Sequence, residues 1–514
     1  MQSRLALFLL AVLGLTLTIV PPSLAAPTRD DEIVDEFKRY FKKYKDVDSR
    51  VEAILSLEGV ESVSVVEVLL PILAKAGPDE VRAAVSVLAQ FESEAPKAAL
   101  LVELEETKKS PVRSGILRAL AESEYEGTVP AVTACLTDKD WDVRRRALEA
   151  LGASGDPSTA EALVPLCEDS EVAVRCAAID ALARLSSPAV LVPARAQLAH
   201  ESWQVRASAI AALARVRDKD SIEPLIERLA TEEGRLREDV GNALNAITGR
   251  TFGMRLDSWR SFWKTWKERY VIPTDEELQK LAEKRAKNAQ KYDPPGSTSF
   301  HGVATPSQRL LFVIDISGSM EEDVVDVDRF ADGDYPSMKR IDIVKTELAR
   351  TVEGLADYVE FNILAFATKL KPWKKSLVRA NVLNKSSAAT WIERLDAIGG
   401  RSGEELYRAG LRGAANLEGG KTNTYAALMN ALGVDEDGKA TDDYETELDT
   451  IFFLSDGRPS VGRFTDPEDI LREVIEANTL RKIVIHTIGI GDFQEGFLER
   501  LATANGGVFV DLGK

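Results

Sequence analysis

Cysteine, histidine and positive charge are all scarce in this chain of 514 residues, and each scarcity removes a class of function. The three cysteines, Cys135, Cys167 and Cys176, fall within one helical region, so they form no disulfide framework. They are expected to be small buried residues, with a Cys167–Cys176 bridge across one inter-helix turn as the alternative. The three histidines are His200, His301 and His486, and the last lies within a strand-like run. No G-x-S-x-G elbow, zinc-ligand helix motif or metal-thiolate spacing accompanies them, so the expectation is a protein that is not an enzyme. Against 83 acidic residues stand only 65 lysines and arginines, a net charge of −18. Such a balance argues against nucleic acid and anionic membrane surfaces as partners.

Long apolar runs are missing too, with one exception. Arg4 precedes an apolar stretch from Leu5 to Val20, followed by Pro21-Pro-Ser23-Leu-Ala25-Ala26. That is a signal-peptide layout, 1–25, with small residues before a cleavage after Ala25. The stretch is shorter than the ~20 residues of a spanning helix, so a retained anchor is the alternative. The mature chain is expected to be exported (periplasmic, cell-surface or extracellular) and to carry no membrane span. Its 45% hydrophobic content can fill real cores, and its length suggests about three domains.

What the chain has is, first, a repeat. Val81-Arg82, Val112-Arg113, Val143-Arg144, Val174-Arg175, Val205-Arg206 and Leu236-Arg237 recur every 31 residues. Each pair opens a segment such as Val143-Arg-Arg-Arg-Ala147-Leu148-Glu-Ala150-Leu151, with apolar positions on one helical face. A second helical stretch precedes most pairs. Two helices per unit at a fixed period predict an α-solenoid over 50–250. It resembles the compact variety of HEAT-like repeat, which implies a scaffold for further protein contacts. The arginine ladder is expected to pair with neighbouring acids such as Asp142 and Glu80 or to be simply solvated, an acidic-ligand surface being the alternative.

A solenoid needs caps. Ile33, Val34, Phe37, Tyr40, Phe41 and Tyr44 line a helix within 26–49, and Trp259, Phe262, Trp263 and Trp266 follow the last repeat. A carbohydrate or peptide platform is the other use of such aromatics. Thr274-Asp-Glu-Glu277 is a capping box opening a charged helix, and Asp293-Pro-Pro-Gly-Ser297 then breaks it. Residues 251–304 therefore read as cap, charged helix and linker, with separately folding parts on either side.

The second positive feature is a constellation of oxygens. Leu310-Leu-Phe-Val-Ile-Asp315-Ile-Ser317-Gly-Ser319 is a buried-strand run ending in one carboxylate and two hydroxyls at alternating positions. Gly419-Gly-Lys-Thr422-Asn-Thr is a turn entering a helix, and Ile451-Phe-Phe-Leu-Ser455-Asp456-Gly457 is another buried strand ending at an aspartate. Ligands gather beyond the carboxyl ends of strands in open α/β sheets, and hard oxygens there suit a small divalent cation. In its pattern D-x-S-x-S, then T, then D-G, residues 305–514 resemble a von Willebrand factor A domain with a metal-ion-dependent adhesion site. The resemblance implies a Rossmann-like α/β fold, Mg²⁺ or Mn²⁺ held by Asp315, Ser317, Ser319, Thr422 and Asp456, and a protein partner presenting an Asp or Glu to the metal. A metal-assisted hydrolase and a purely structural repeat scaffold are the alternatives.

Three insertions, Glu321 to Ser337, Gly399 to Glu418 and Asp435 to Glu447, enter or leave the segments that build this site. Their acids (Asp326, Asp328, Asp332, Asp334; Asp435, Asp437, Asp442, Asp443) miss EF-hand spacing and read as solvated loops. Gly419-Gly-Lys-Thr422 lacks the first glycine of a phosphate loop, since Ala415 stands there, and Gly489-Ile-Gly491 lacks the third glycine of a dinucleotide fingerprint.

Overall fold

The computed structural model describes residues 29–286, 298–409, 417–435 and 446–513, apart from Glu124, Glu126, Asp332 and Asp492. The expected signal peptide 1–25, the joint Asp293–Ser297, Ala415 and the acids Asp332, Asp437, Asp442 and Asp443 lie outside the described residues. Met1–Leu100 and Leu101–Lys514 form two compact units.

In the first unit, helices run over Arg29–Phe41, Val47–Leu55, Val63–Lys75 and Pro78–Ala89. Asp46 caps the second by accepting from the Ser49 amide at 2.8 Å. Of the expected aromatic cap, Val34 and Phe37 are buried and Phe37 stacks on Phe41, centroids 4.9 Å apart. Tyr40 and Tyr44 are exposed, which narrows the expected face. Residues 34, 37 and 41 share one helical stripe that Tyr40 leaves, and Tyr44 lies past the helix end.

In the second unit, five long helices carry the repeated pair at their third and fourth positions: Ser110–Glu122, Trp141–Ser154, Val172–Arg184, Trp203–Val216 and Gly234–Thr248. The pair's apolar member is buried in all five, and each helix packs on the next. Close stacking needs small residues. A Cβ on Gly152 would come within 3.0 Å of the Ala181 backbone. The intervening helices are short, and prolines such as Pro165 and Pro188 open the 3-10 turns beside them. All three cysteines are buried and free, so the Cys167–Cys176 bridge is not formed.

The arginine ladder has a regular geometry that differs from the pairing expected. Arg144 donates to both Asp169 oxygens, at 2.8 and 2.7 Å, and to the Asp138 carbonyl at 2.8 Å. Arg113 pairs with Asp138, and Arg206 with Glu232 at 2.7 Å while donating to the His200 carbonyl at 2.8 Å. Each arginine thus ties to an acid in the following repeat. Where His200 stands in place of that acid, Arg175 turns to the Gln197 side chain and the Asp169 carbonyl. Asp142 serves Arg145 and Arg146 instead, and Glu80 accepts from the Gly77 amide at 2.7 Å and pairs with Arg50. From Arg113 to Arg206 the ladder stitches the solenoid, Arg175 alone in that stretch meeting neutral groups rather than an acid in the contacts described.

After the last repeat Trp259, Phe262 and Trp263 are buried, and the Trp259 indole donates to the Gly253 carbonyl at 2.8 Å. Trp266 is exposed, with Arg269 over its ring. The cluster is mainly a cap. The capping box forms as expected: Thr274 donates its amide to Glu277 at 2.9 Å, and Glu277 returns the bond to the Thr274 hydroxyl at 3.3 Å.

Among the described residues the α/β part contains nine strands: β1 Thr298–Phe300, β2 Val303–Thr305, β3 Arg309–Asp315, β4 Glu360–Phe366, β5 Leu370–Pro372, β6 Val378–Arg379, β7 Thr450–Ser455, β8 Val484–Gly489 and β9 Phe509–Asp511. The main sheet runs β5-β4-β3-β7-β8-β9, with β6 also on β4. The pairs β3/β4, β3/β7, β7/β8 and β8/β9 are parallel; β5 and β6 run antiparallel to β4. Successive residues face opposite sides. Phe312, Ile314 and Phe452 join one core, against Val344 and Leu348, while Val313 and Phe453 join the other, against Leu428 and Val474.

The β1/β2 hairpin was not expected from sequence, and it extends this packing upstream of residue 305. His301 and Gly302 both have positive φ, 47° and 81°, as a two-residue hairpin turn requires. Phe300 is fully buried, edge-on to Phe312 and Phe452 at 5.4 and 5.6 Å. Burying such a ring contributes about 1.5–3 kcal/mol.

Solenoid and sheet are also joined directly. Glu476, on the helix Pro467–Arg481, accepts from Arg118 at 2.8 Å and Arg146 at 2.6 Å. Burial works to raise its pKa, but Arg146 and Arg118 outweigh this and hold it down to about 2. Lys482 pairs with Asp180. Arg235 donates to the Asp449 and Lys482 carbonyls at 3.1 and 2.5 Å, and the Trp203 indole to the Thr446 carbonyl at 2.6 Å. The expected separation into independent parts therefore meets a polar interface between them.

Candidate metal centre

Strand order reverses between β3 and β7, the neighbours at the centre of the sheet, and ligand crevices form at such switch points. Asp315 ends β3, and Asp456 follows β7 directly. Both are buried, as are Ser317 and Thr422; Ser319 is half-buried. The loop after β3 turns back because Asp315 Oδ1 accepts from the Ser317 amide at 2.8 Å. This sets the Ser317 and Ser319 hydroxyls 3.2 Å apart, and Ser319 donates to Asp456 Oδ1 at 2.8 Å. The fifth oxygen reaches the same place. A Cβ on Gly457 would lie 3.3 Å from the Thr422 hydroxyl and 3.6 Å from that of Ser319. All five residues predicted from sequence therefore meet around one point.

The insertion at 399–418 shapes this loop. Gly399 and Gly400, with φ of 83° and 64°, start the helix Gly400–Arg408. A Cβ on Gly318 would sit 2.5 Å from the Gly400 nitrogen, so two glycine backbones meet there. Ile398 donates its amide to the Ile316 carbonyl at 2.9 Å. The phosphate-loop decoy is a surface turn, its Lys421 paired with Glu418 at 2.6 Å.

Three supporting residues were not singled out from sequence. Ser455 donates to Asp315 Oδ2 at 2.7 Å, and Ser460 accepts from the Thr422 amide at 2.9 Å. Arg340 donates to Asp456 Oδ2 at 2.9 Å. A signal for Arg340 exists: it is the first residue of the helix Arg340–Gly354, where the macrodipole disfavours a cation without a special partner.

The site's electrostatics call for positive charge. Burial, and then the Asp456 carboxylate, push the Asp315 pKa up to about 7. Burial also raises Asp456, against the hydrogen bond and charge of Arg340. Among the described residues no group of three or more His, Cys, Asp and Glu side chains is placed to hold a metal. A cation here would depend on hydroxyls for most of its ligands, and this suits Mg²⁺ or Mn²⁺ rather than zinc. Two carboxylates, three hydroxyls and the gap left by a missing Cβ at Gly457 fit such an ion. One histidine of the same sheet is engaged elsewhere. His486 stacks on Phe452 at 5.1 Å and accepts from the Val508 amide at 3.1 Å, and burial lowers its pKa to about 4.

Comparison with known proteins agrees with this architecture. Residues 97–175 and 161–245 match HEAT repeats, and 333–511 match the von Willebrand factor type A domain. Inter-alpha-trypsin inhibitor heavy chain H4 of Homo sapiens is 28% identical over 209 residues, 40% of this chain and 18% of that protein. Heavy chain H1 of Mesocricetus auratus is 27% identical over 203 residues, 39% of this chain and 18% of that protein. The chain thus spans less than a fifth of these curated relatives. Among solved structures, a conserved hypothetical protein BatB from Bacteroides thetaiotaomicron aligns with 14% identity and a TM-score of 0.26, covering 39% of this chain and 88% of that one.

Proposed function

Taking as premise a chain of HEAT repeats followed by a von Willebrand factor type A domain, we propose that this protein is an exported, metal-dependent protein-binding or scaffold protein. The observation that carries the reading is the convergence of Asp315, Ser317, Ser319, Thr422 and Asp456 at the switch point of the sheet. These residues would hold Mg²⁺ or Mn²⁺, and the ion, when bound, supplies an electrophilic position for an anionic ligand. Mg²⁺ prefers octahedral coordination and usually keeps waters, so an acidic side chain of a protein partner is the natural further ligand. Among the chain's own groups, Ser455 steadies Asp315 by donating to it, and Arg340 donates to Asp456. The solenoid is a scaffold for additional protein contacts, and the role is one of binding rather than catalysis. Export rests on the signal-peptide layout of 1–25. No helix among the described residues is long and apolar enough to cross a membrane.

Partner and ion should raise each other's affinity by the same factor. The test captures partners from exported proteins with and without Mg²⁺, then measures the affinity of an identified partner before and after its candidate Asp or Glu is changed to Asn or Gln. Binding that needs both the ion and one such carboxylate is the expected result. Binding indifferent to Mg²⁺ and to every such change would overturn the proposal.

A further inference from the structure

Arg340 is placed where both its charge and its position are costly. It opens a helix, against the macrodipole, and its side chain is only 6% exposed. The slot it fills is prepared for it: Gly491, just past β8, has φ of +84°, and a Cβ there would run into the guanidinium. Within that slot Nη1 reaches Asp456 Oδ2 at 2.9 Å and the Ser319 carbonyl at 3.3 Å, while Nη2 reaches Glu322 at 3.1 Å. One guanidinium thus bridges a carboxylate of the metal-site group and a second carboxylate outside it. Glu322 is 61% exposed and is the second residue of the acidic insertion. Its carbonyl accepts the Arg340 amide at 2.9 Å.

Resting on the metal reading above, we propose that Arg340 is a built-in competing cation. It holds Asp456 when no divalent ion is present and sets the ion's affinity by contesting that carboxylate, and Glu322 retains the guanidinium when the ion takes Asp456. Two positive centres sharing one buried carboxylate repel strongly at the low effective dielectric of such a site. The opposite role, in which Arg340 merely orients Asp456 for the metal, predicts the opposite sign, because removing an orienting partner weakens metal affinity.

The experiment measures Mg²⁺ affinity by calorimetry on the full chain and follows thermal unfolding in EDTA and in Mg²⁺. Arg340→Met is expected to bind Mg²⁺ about tenfold more tightly or better, since a neighbouring positive charge is gone. Its unfolding temperature should drop in EDTA and recover in Mg²⁺. Glu322→Gln, which leaves the guanidinium committed to Asp456, should bind Mg²⁺ more weakly than the unaltered chain. Unchanged or weaker binding by Arg340→Met overturns the inference, as does an equal loss of stability in both buffers. Should Arg340→Met fail to fold in either buffer, Glu322→Gln decides: weaker binding supports the inference, and unaltered binding overturns it. If the unaltered chain itself binds no Mg²⁺, the metal reading falls, and this inference with it.

Discussion

The solenoid and the carboxyl end of the sheet both bury charge, and they balance it differently. Along the repeats Arg113, Arg144 and Arg206 each meet an acid of the next unit, cation for anion. At the carboxyl end of the sheet two carboxylates stand beside one guanidinium: Arg340 pairs with Asp456, not with Asp315, and gives part of its bonding to Glu322. Matched pairs of the first kind complete themselves within the chain and hold parts in place. In the second arrangement Asp315 is met by amide and hydroxyl donors rather than by a cation, and burial raises the pKa values of both aspartates. Buried charge left without its equal is where an outside ion belongs, and perturbed carboxylates mark functional sites for the same reason.

The sharpest way to break this comparison is to remove the excess. Asp315→Ala should abolish Mg²⁺ binding measured by calorimetry while circular dichroism keeps the native spectrum. Retained affinity would put the ion elsewhere. The converse change, in the ladder, should cost stability and leave the metal alone. Arg144→Met leaves a largely buried Asp169 without its cation, and is expected to destabilise the folded chain by about 2–4 kcal/mol with Mg²⁺ affinity unaltered. A smaller effect belongs to the bridge between the two regions. The Glu476 pKa is depressed when folded, so its contribution is present above the ordinary carboxylate pKa near 4.3 and is lost as pH falls from about 4 towards 2. Glu476→Gln should remove about 1–2 kcal/mol at neutral pH, discounted because a third of the side chain meets water. It should also flatten the acid limb of the stability curve in that window. An unchanged acid limb would place the bridge's worth near zero.

The five oxygens were legible in the sequence because each sits at a fixed offset from a strand end or turn, and local spacing carries that information. The 31-residue period was legible for the same reason. Partners were not. Asp169 lies 25 residues from Arg144, and Asp142, only two residues before it, belongs to other arginines. Ser455 was visible only as part of a strand, although its hydroxyl faces Asp315 from the neighbouring strand. The β1/β2 hairpin was hidden by its brevity, three residues a side, although His301-Gly302 is the turn that such a hairpin needs. The contacts of Glu476, Lys482 and Arg235 join residues more than two hundred positions apart and follow no spacing rule.

One strand has its two ends in different company. Just before β7, the carbonyls of Thr446 and Asp449 are gripped by Trp203 and Arg235 of the solenoid; just after it stands Asp456. The distance between grip and aspartate is about 23 Å for an extended strand of this length. Bonded along both edges to β3 and β8, β7 cannot bow on its own. A displacement of the Trp203 and Arg235 grip is therefore carried along a stiff strand to Asp456, the residue at the other end of the same rod.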